Sequence, residues 1–196
     1  MTDNITKIRD NFLTFTDPGD FYYLQVIQRK KENPDLGRNS YIVKNYFIYS
    51  VEQYDKTIPE IIKLCEMFSA RAAFWINVRN SYDVAFNSVE AMLKVIKSNQ
   101  TDYSHRIYTS TVGRASTPKE RKKWIIDIDE FDNDKYNMNL PIQLKSILPV
   151  GNKLIDIIPS KNGYHYVTKP FNLQAFSLLY PEVEVHKDNF TNLYIP

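Results

Sequence analysis

Two aspartates at the end of an apolar run have the types and spacing for metal chemistry. Asp127 and Asp129 follow Trp124-Ile125-Ile126, a segment with strand composition. In a strand, residues i and i+2 point to one face, with Cα atoms about 6.5–7 Å apart. Two carboxylates placed in this way can bind one divalent cation or a pair of them, and Mg²⁺ prefers oxygen ligands that leave room for substrate phosphates. The alternative is a solvated acidic strand end.

These aspartates open an acidic block that follows closely on a basic one. The basic residues are Arg106, Arg114, Lys119, Arg121, Lys122 and Lys123, and the acidic residues are Asp127, Asp129, Glu130, Asp132 and Asp134. A calcium loop is excluded, because Asp132 stands where that loop needs glycine. The two blocks are either solvated surface patches or a site that binds phosphates with cations and metals with carboxylates.

The segment from Ser160 to His165 is a second candidate. Gly163 lies in a predicted strand-to-strand turn and would allow a ligand to approach the backbone closely. Ser160 and Lys161 offer a hydroxyl and a cation to phosphate, and His165 can donate a hydrogen bond to a phosphate oxygen. A hairpin turn followed by a structural histidine is the alternative interpretation.

A third acidic residue, Asp188, follows a β-branched strand near the C-terminus. It is placed to supply a third carboxylate to a metal site. By itself it is also an ordinary turn aspartate.

The predicted elements that must position these residues alternate between strands and helices. We expect strands at Phe21–Ile27, Tyr41–Tyr49, Ala72–Val78, Trp124–Asp129, Leu154–Ile158, Tyr164–Thr168, Glu182–His186 and Leu193–Ile195. We expect helices at Ile58–Met67, Ser81–Ile96, Leu140–Leu148 and Leu173–Leu179. In the second of these, Val84, Val89, Leu93 and Ile96 line one side. Residues 100–120 are predicted as a loop, with a short strand at Arg106–Ser110. The order indicates an α+β fold, close to a ferredoxin-like or RRM-like mixed sheet with helices on one face.

The composition excludes several classes of protein. Apolar residues make up 43% and charged residues 24% of 196 residues, which is typical of a globular chain and not of a disordered one. No apolar stretch is long enough to span a membrane. The single cysteine, Cys65, excludes an internal disulfide and a cysteine-based zinc site. Because residues 1–10 also lack the apolar segment of a signal peptide, we expect a cytoplasmic location in a prokaryotic or virus-infected cell.

Taken together, the three candidate segments resemble the catalytic core of the archaeo-eukaryotic primase superfamily, which includes the primase-polymerases. That family is similar in having a strand that ends in D-x-D or D-x-E, then a small-x-H motif, then a strand that ends in an acidic residue, on an RRM-like sheet. The resemblance covers residues 71–196. Residues 1–70, which are rich in aromatic side chains, would form the N-terminal α/β module typical of primase-polymerases.

The resemblance implies a metal-dependent nucleotidyltransferase that acts in DNA replication or repair. Asp127, Asp129 and Asp188 would be the catalytic carboxylates that bind two Mg²⁺ or Mn²⁺ ions. Ser160, Lys161, Gly163 and His165 would bind the nucleotide, and Arg114, Arg121, Lys122 and Lys123 would bind nucleic acid. The implied partners are nucleoside triphosphates and single-stranded or primed DNA template, with a helicase or another replication protein as a further candidate and no membrane.

The sequence departs from the family pattern after the third acid. The family commonly carries basic residues there, whereas this chain has Asn192 and Tyr194. Other cations must then compensate the charge of a bound triphosphate. The candidates are Lys161, which is the first choice, Lys187, and the basic loop around Arg114 and Arg121–Lys123. Arg71 and Arg79, beside the strand at Ala72–Val78, either face the same cleft or form structural ion pairs.

Two further functions stay open for the same residues. The second hypothesis is a module that only binds nucleic acid or nucleotides on the same fold, without metal-dependent turnover. The chain also fits a metal-dependent nuclease, since clustered carboxylates serve hydrolysis as well.

Overall fold

The fold consists of two antiparallel sheets with helices packed against them. The computed structural model describes residues 1–37, 39–129 and 133–196. The elements of its first half are β1 (Thr2–Asp3), α1 (Ile5–Phe12), β2 (Asp20–Gln28), β3 (Tyr41–Ile48), α2 (Val51–Phe68), β4 (Arg71–Trp75), β5 (Arg79–Asn80) and α3 (Ser81–Lys97). Those of the second half are α4 (Ile107–Arg114), β6 (Trp124–Asp129), α5 (Asn133–Ser146), β7 (Leu154–Pro159), β8 (Gly163–Thr168), α6 (Leu173–Leu179), β9 (Glu184–His186) and β10 (Phe190–Ile195).

The first sheet joins both ends of the chain. Its strands run in the order β1-β10-β4-β2-β3, with β5 paired to β2, and every pairing is antiparallel. Helices α1 and α2 cover one face through Ile8, Phe12, Tyr54 and Ile61, whereas Val84 of α3 and Val112 of α4 pack on the other. The predicted boundary at residue 70 falls just before β4, and β4 pairs with β2 from the N-terminal part.

The second sheet has the order β7-β8-β6-β9 and is also antiparallel. Alternation along β6 separates two environments, as the strand period requires. Ile126 and Ile128 pack with Leu140 and Leu144 of α5 and with Phe176 of α6. The aspartates of the same strand point to the opposite face. The α+β class predicted from the sequence is therefore confirmed, and helices cover one face of this sheet.

Three element predictions are wrong; in the first, the helix expected at Leu140–Leu148 is α5, which runs from Asn133 to Ser146 with Pro141 inside it. The short strand expected at Arg106–Ser110 is absent: a 3₁₀ segment at Thr101–Arg106 leads into α4. This segment packs on α3, and helix–helix contact outweighs the weak strand preference of a polar sequence. Helix α2 begins at Val51 rather than at Ile58, because Ser50 caps it by accepting a hydrogen bond from the backbone N–H of Gln53 at 3.1 Å.

Helix α3 is oriented differently from the sequence expectation. Val84 is buried, but Val89, Leu93 and Ile96 are exposed on the side that faces away from the sheet. The helix therefore carries apolar residues on two faces, and the inner face alone packs against the rest of the protein. Within the described ranges, no helix has both the length and the apolar character needed to cross a membrane.

Candidate functional site

A cavity of about 530 Å³ lies between the two sheets and receives side chains from both. From the second sheet and its turn, the lining includes Ile125, Asp127, Asp129, Ser160, Lys161, Asn162, His165 and His186. From the first sheet and its connecting segments, it includes Arg29, Lys31, Glu32, Arg71, Asn189, Phe190 and Asn192. The segment with Asp127 and Asp129 and the segment with Ser160 and His165 thus line one cavity, whereas Asp188 of the third segment is not among its lining residues.

Asp127 and Asp129 reach the cavity from the same face of β6, since they alternate with the buried Ile128. Asp127 lies opposite His165 in the β6–β8 register, and its Oδ1 is 3.4 Å from His165 Nε2. The hydrogen bond from His165 holds the pKa of Asp127 below its usual range, although partial burial opposes this effect. The Asp127 carboxylate is therefore kept ionised, which is the state that binds a cation.

His165 is held between the two sheets. Its Nδ1 is 2.8 Å from the hydroxyl oxygen of Thr191, which is fully buried on β10. Its other ring nitrogen faces Asp127. With both nitrogens engaged, the ring has a fixed orientation at the wall of the cavity.

The turn between β7 and β8 carries the phosphate-binding candidates. The Ser160 N–H donates to the Gly163 carbonyl at 2.8 Å, which closes the turn. A Cβ on Gly163 would lie 2.0 Å from the carbonyl oxygen of Ile128 and 2.9 Å from Cα of Asp129. The glycine is thus needed for close approach to β6 and does not line the cavity. Ser160 and Lys161 do line it.

Asp188 is engaged elsewhere. Its two carboxylate oxygens lie 3.0 and 2.8 Å from Arg79 Nη2, and Asn77 Nδ2 is 3.1 Å from Oδ1. Arg79 is fully buried, and Asp188 compensates its charge. Asp188 does not line the cavity, and among the described residues no three His, Cys, Asp or Glu side chains form a group that could hold a metal. Its role as a third ligand stays a prediction. Glu130 and Asp132 of the acidic block lie outside the described residues.

The predicted nucleic-acid-binding residues do not line the cavity either. Arg121 bonds Asp17 and the buried Asp20, each at 2.7 Å, which ties the segment before β6 to the start of β2. Burial, together with the charge of Arg121, lowers the pKa of Lys123 to about 8. Arg114 is exposed and Lys122 is half-buried, and neither makes an ion pair within the described chain. Of the four, Arg114 and Lys122 are thus the best placed to contact a nucleic-acid backbone.

The cavity contains cations that the sequence analysis missed. Arg29 and Lys31 follow β2 and line the cavity. The basic run Arg29-Lys30-Lys31 at the end of a predicted strand was the feature of the sequence that could have predicted them. Arg71, one of the two alternatives left open, faces the cavity and pairs with Glu32. Arg79 forms the structural ion pair. Lys187 lies over the Trp124 ring at 5.5 Å and does not line the cavity.

A break in the register of β10 separates Asn192 from Tyr194. The β10–β4 pairing shifts between these two residues. Asn192 lines the cavity, and Tyr194 packs in the core of the first sheet with its hydroxyl 3.4 Å from Glu66. The irregularity places residues i and i+2 in different environments. Only Asn192 of this pair is therefore available to a ligand.

Comparisons of the chain with protein-family models, with curated proteins and with solved structures give no match.

Proposed function

We propose that this chain is a metal-dependent nucleotidyltransferase of the primase-polymerase type that acts in DNA replication or repair. The observation that supports the proposal is one cavity in which an aspartate pair meets four cationic side chains from distant parts of the chain. The aspartates are Asp127 and Asp129, and the cations are Arg29, Lys31, Arg71 and Lys161. A bound nucleoside triphosphate needs both, carboxylates for its metal and cations for its phosphates.

The donor set of the cavity fits one Mg²⁺ or Mn²⁺ ion. Mg²⁺ is commonly held by one or two carboxylates, with water and substrate phosphates as the remaining ligands. Asp127 and Asp129 supply that number from one strand face. A second ion, as in the two-metal mechanism, requires a further carboxylate, and Asp188 would have to exchange Arg79 for the metal. When bound, the metal would activate a primer 3′-hydroxyl and neutralise the charge of the leaving pyrophosphate.

The protein side chains have separate tasks in this proposal. Lys161, Ser160 and Arg71 bind the phosphates, because each presents a donor to the cavity. His165, oriented by Thr191, keeps Asp127 ionised for the metal; to contact a phosphate oxygen as well, its Nε2–H must be shared between Asp127 and the phosphate. Asn192 is 5% exposed and lines the cavity. Because its side chain carries no charge, it contacts the neutral part of the nucleotide.

The proposal extends to fold and partners. The second sheet, with α5 and α6 on one face, would be the RRM-like core, and the first sheet would include the N-terminal module of the family. Single-stranded or primed DNA template would contact Arg114 and Lys122 through its phosphates. A helicase or other replication protein stays a candidate partner, and the cytoplasm the proposed setting.

One observation favours an alternative, a module that binds nucleotide or nucleic acid without turnover. Arg79 and Asn77 occupy the carboxylate of Asp188, so the third ligand of a two-metal site is engaged. Such a module would keep the affinity of the cavity for phosphates and lack catalysis.

Incubation with Mn²⁺, all nucleotides and either a primed or an unprimed template separates the candidates. The proposal expects template-dependent extension that is lost in Asp127→Asn and in Asp129→Asn. Asp102→Asn is the matched control, because Asp102 is exposed and lies outside the cavity. Affinity without extension supports the binding module, and degradation of the template supports a nuclease. Extension that persists in both cavity variants would refute the assigned site.

A further inference from the structure

Glu32 joins two of the cavity's cations, although they belong to different sheets. Its carboxylate accepts hydrogen bonds from Nε and Nη2 of Arg71 on β4, the first of them at 2.7 Å. The same carboxylate lies 2.7 Å from Lys161 Nζ in the β7–β8 turn. All three residues line the cavity. Glu32, from the segment after β2, thus pairs at once with Arg71 of the first sheet and Lys161 of the second.

The geometry around Glu32 is that of an oxyanion site. An arginine that donates two parallel N–H bonds, with an ammonium beside it, binds carboxylate and phosphate in the same way. The Glu32 and Arg71 side chains are only 18% and 10% exposed, so the pair is largely shielded from water. Within the described part of the chain, neither Arg71 nor Lys161 bonds any other acceptor. Glu32 therefore fills the site that these two cations offer.

We propose that Glu32 is an internal competitor for a phosphate-binding subsite formed by Arg71 and Lys161. A ligand with a diphosphate or triphosphate group must displace the Glu32 carboxylate to reach these cations. The inference rests on the proposed function in taking that ligand to be the triphosphate of a nucleotide or the pyrophosphate released from it. Glu32 would weaken binding of both and would favour departure of the product.

Displacement of Glu32 does not require its segment to unfold. The neighbouring Asn33 anchors the segment through side-chain donation to the carbonyls of Arg29, at 3.2 Å, and Ser69, at 3.1 Å. The Asn33 carbonyl also accepts a hydrogen bond from Leu36 N–H at 3.0 Å. These bonds do not involve the Glu32 carboxylate, so a change of its rotamer is enough to free Arg71 and Lys161.

The test is calorimetric titration of the full chain with inorganic pyrophosphate and, separately, with a nucleoside triphosphate. Glu32→Gln removes the charge and keeps the shape. Its affinity for both ligands should rise about tenfold or more, since a charge-assisted bond no longer competes. Glu60→Gln is the matched control, because Glu60 forms an exposed ion pair with Lys44 outside the cavity. In Glu32→Gln combined with Lys161→Ala, the gain should be lost.

If Glu32→Gln is less stable than the wild type, the melting temperatures of both proteins with and without pyrophosphate provide the test. Pyrophosphate should then raise the melting temperature of the variant more than that of the wild type, because it replaces the missing anion. If Glu32→Gln does not fold, Glu32→Asp, with a shorter carboxylate, should show a smaller gain in affinity. Equal or weaker binding in these variants would show that Glu32 orients the cations for the ligand, which overturns the proposal.

Failure of this inference can be told apart from failure of the proposed function. If the wild type extends a template but Glu32→Gln shows no gain in affinity, only the competition by Glu32 is refuted and the polymerase function stands. A gain in affinity without extension under any condition refutes the polymerase function alone. If pyrophosphate and triphosphate bind to none of these proteins, the cavity is not a phosphate site and both proposals fall. Pyrophosphate bound without nucleotide would identify a product site.

Discussion

His165 and Asp127 face each other across neighbouring strands of the second sheet, and Thr191 of the first sheet holds the histidine from behind. The Asp127 Oδ1–His165 Nε2 distance is 3.4 Å, and the His165 Nδ1–Thr191 Oγ1 distance is 2.8 Å. The chain of three side chains connects the proposed metal ligand to the core of the other sheet. The orientation of the site thus depends on how the two sheets pack.

Removal of the Thr191 hydroxyl tests this connection. Thr191→Val should lower the free energy of unfolding by about 1 kcal/mol, because a buried hydrogen bond to His165 is lost. Urea denaturation measures this change. Thr191→Val should also bind nucleotide more weakly, because His165 loses its orientation. Thr191→Ser keeps the hydroxyl and should therefore bind nucleotide as the wild type does, even if the serine side chain packs less tightly. Full nucleotide affinity in Thr191→Val would show that the hydroxyl does not position His165.

The Asp188–Arg79 pair has a structural role that can be separated from metal binding. Asp188→Ala leaves the fully buried Arg79 without its carboxylate and should lower the free energy of unfolding by at least about 2 kcal/mol. The measurement is denaturant unfolding with and without Mn²⁺. If Asp188 is only structural, the wild type and the variant gain equally from Mn²⁺. Loss of the Mn²⁺ effect without loss of stability would identify Asp188 as a metal ligand.

The Glu32 ion pairs should contribute to the acid sensitivity of the protein. Burial by itself would raise the pKa of Glu32, but the hydrogen bonds from Arg71 and Lys161 outweigh it and lower the pKa to about 2 from 4.5. Between these values the unfolded state binds the extra proton, so stability falls as the pH falls from about 4.5 to about 2. The melting temperature of Glu32→Gln should therefore depend less on pH in this range than that of Glu60→Gln. Parallel curves would contradict the assignment.

The basic residues before β6 should divide into two groups. Arg121→Ala removes the partner of Asp20, which is 3% exposed, and should destabilise the protein by about 1–3 kcal/mol. Arg114→Ala combined with Lys122→Ala should leave stability within about 0.5 kcal/mol and reduce the salt dependence of single-stranded DNA binding. Thermal melts and binding at two salt concentrations measure both effects. An unchanged salt dependence would exclude these two residues from the DNA interface.

The local features of the site could be predicted from the sequence, because each is set by neighbouring residues. The apolar run before Asp127 predicts a strand, and strand alternation places Asp127 and Asp129 on one face. The Pro-Ser-Lys-Asn-Gly segment predicts the turn that carries Lys161 and leads to His165. Strand period and turn chemistry act over a few residues, so they need no knowledge of the rest of the fold.

The partners of these residues were decided by the tertiary structure. Asn192 and Tyr194 are two residues apart, the spacing that places side chains on one face of a regular strand, but the register shift against β4 directs Asn192 to the cavity and Tyr194 to the core. Asp188 has the spacing of a metal ligand, yet the buried charge of Arg79 binds its carboxylate. The cations Arg29 and Arg71 reach the cavity because β2 and β4 belong to the sheet that faces β6. Such pairings join residues far apart in the chain, and they depend on sheet packing and charge burial, which no local pattern encodes.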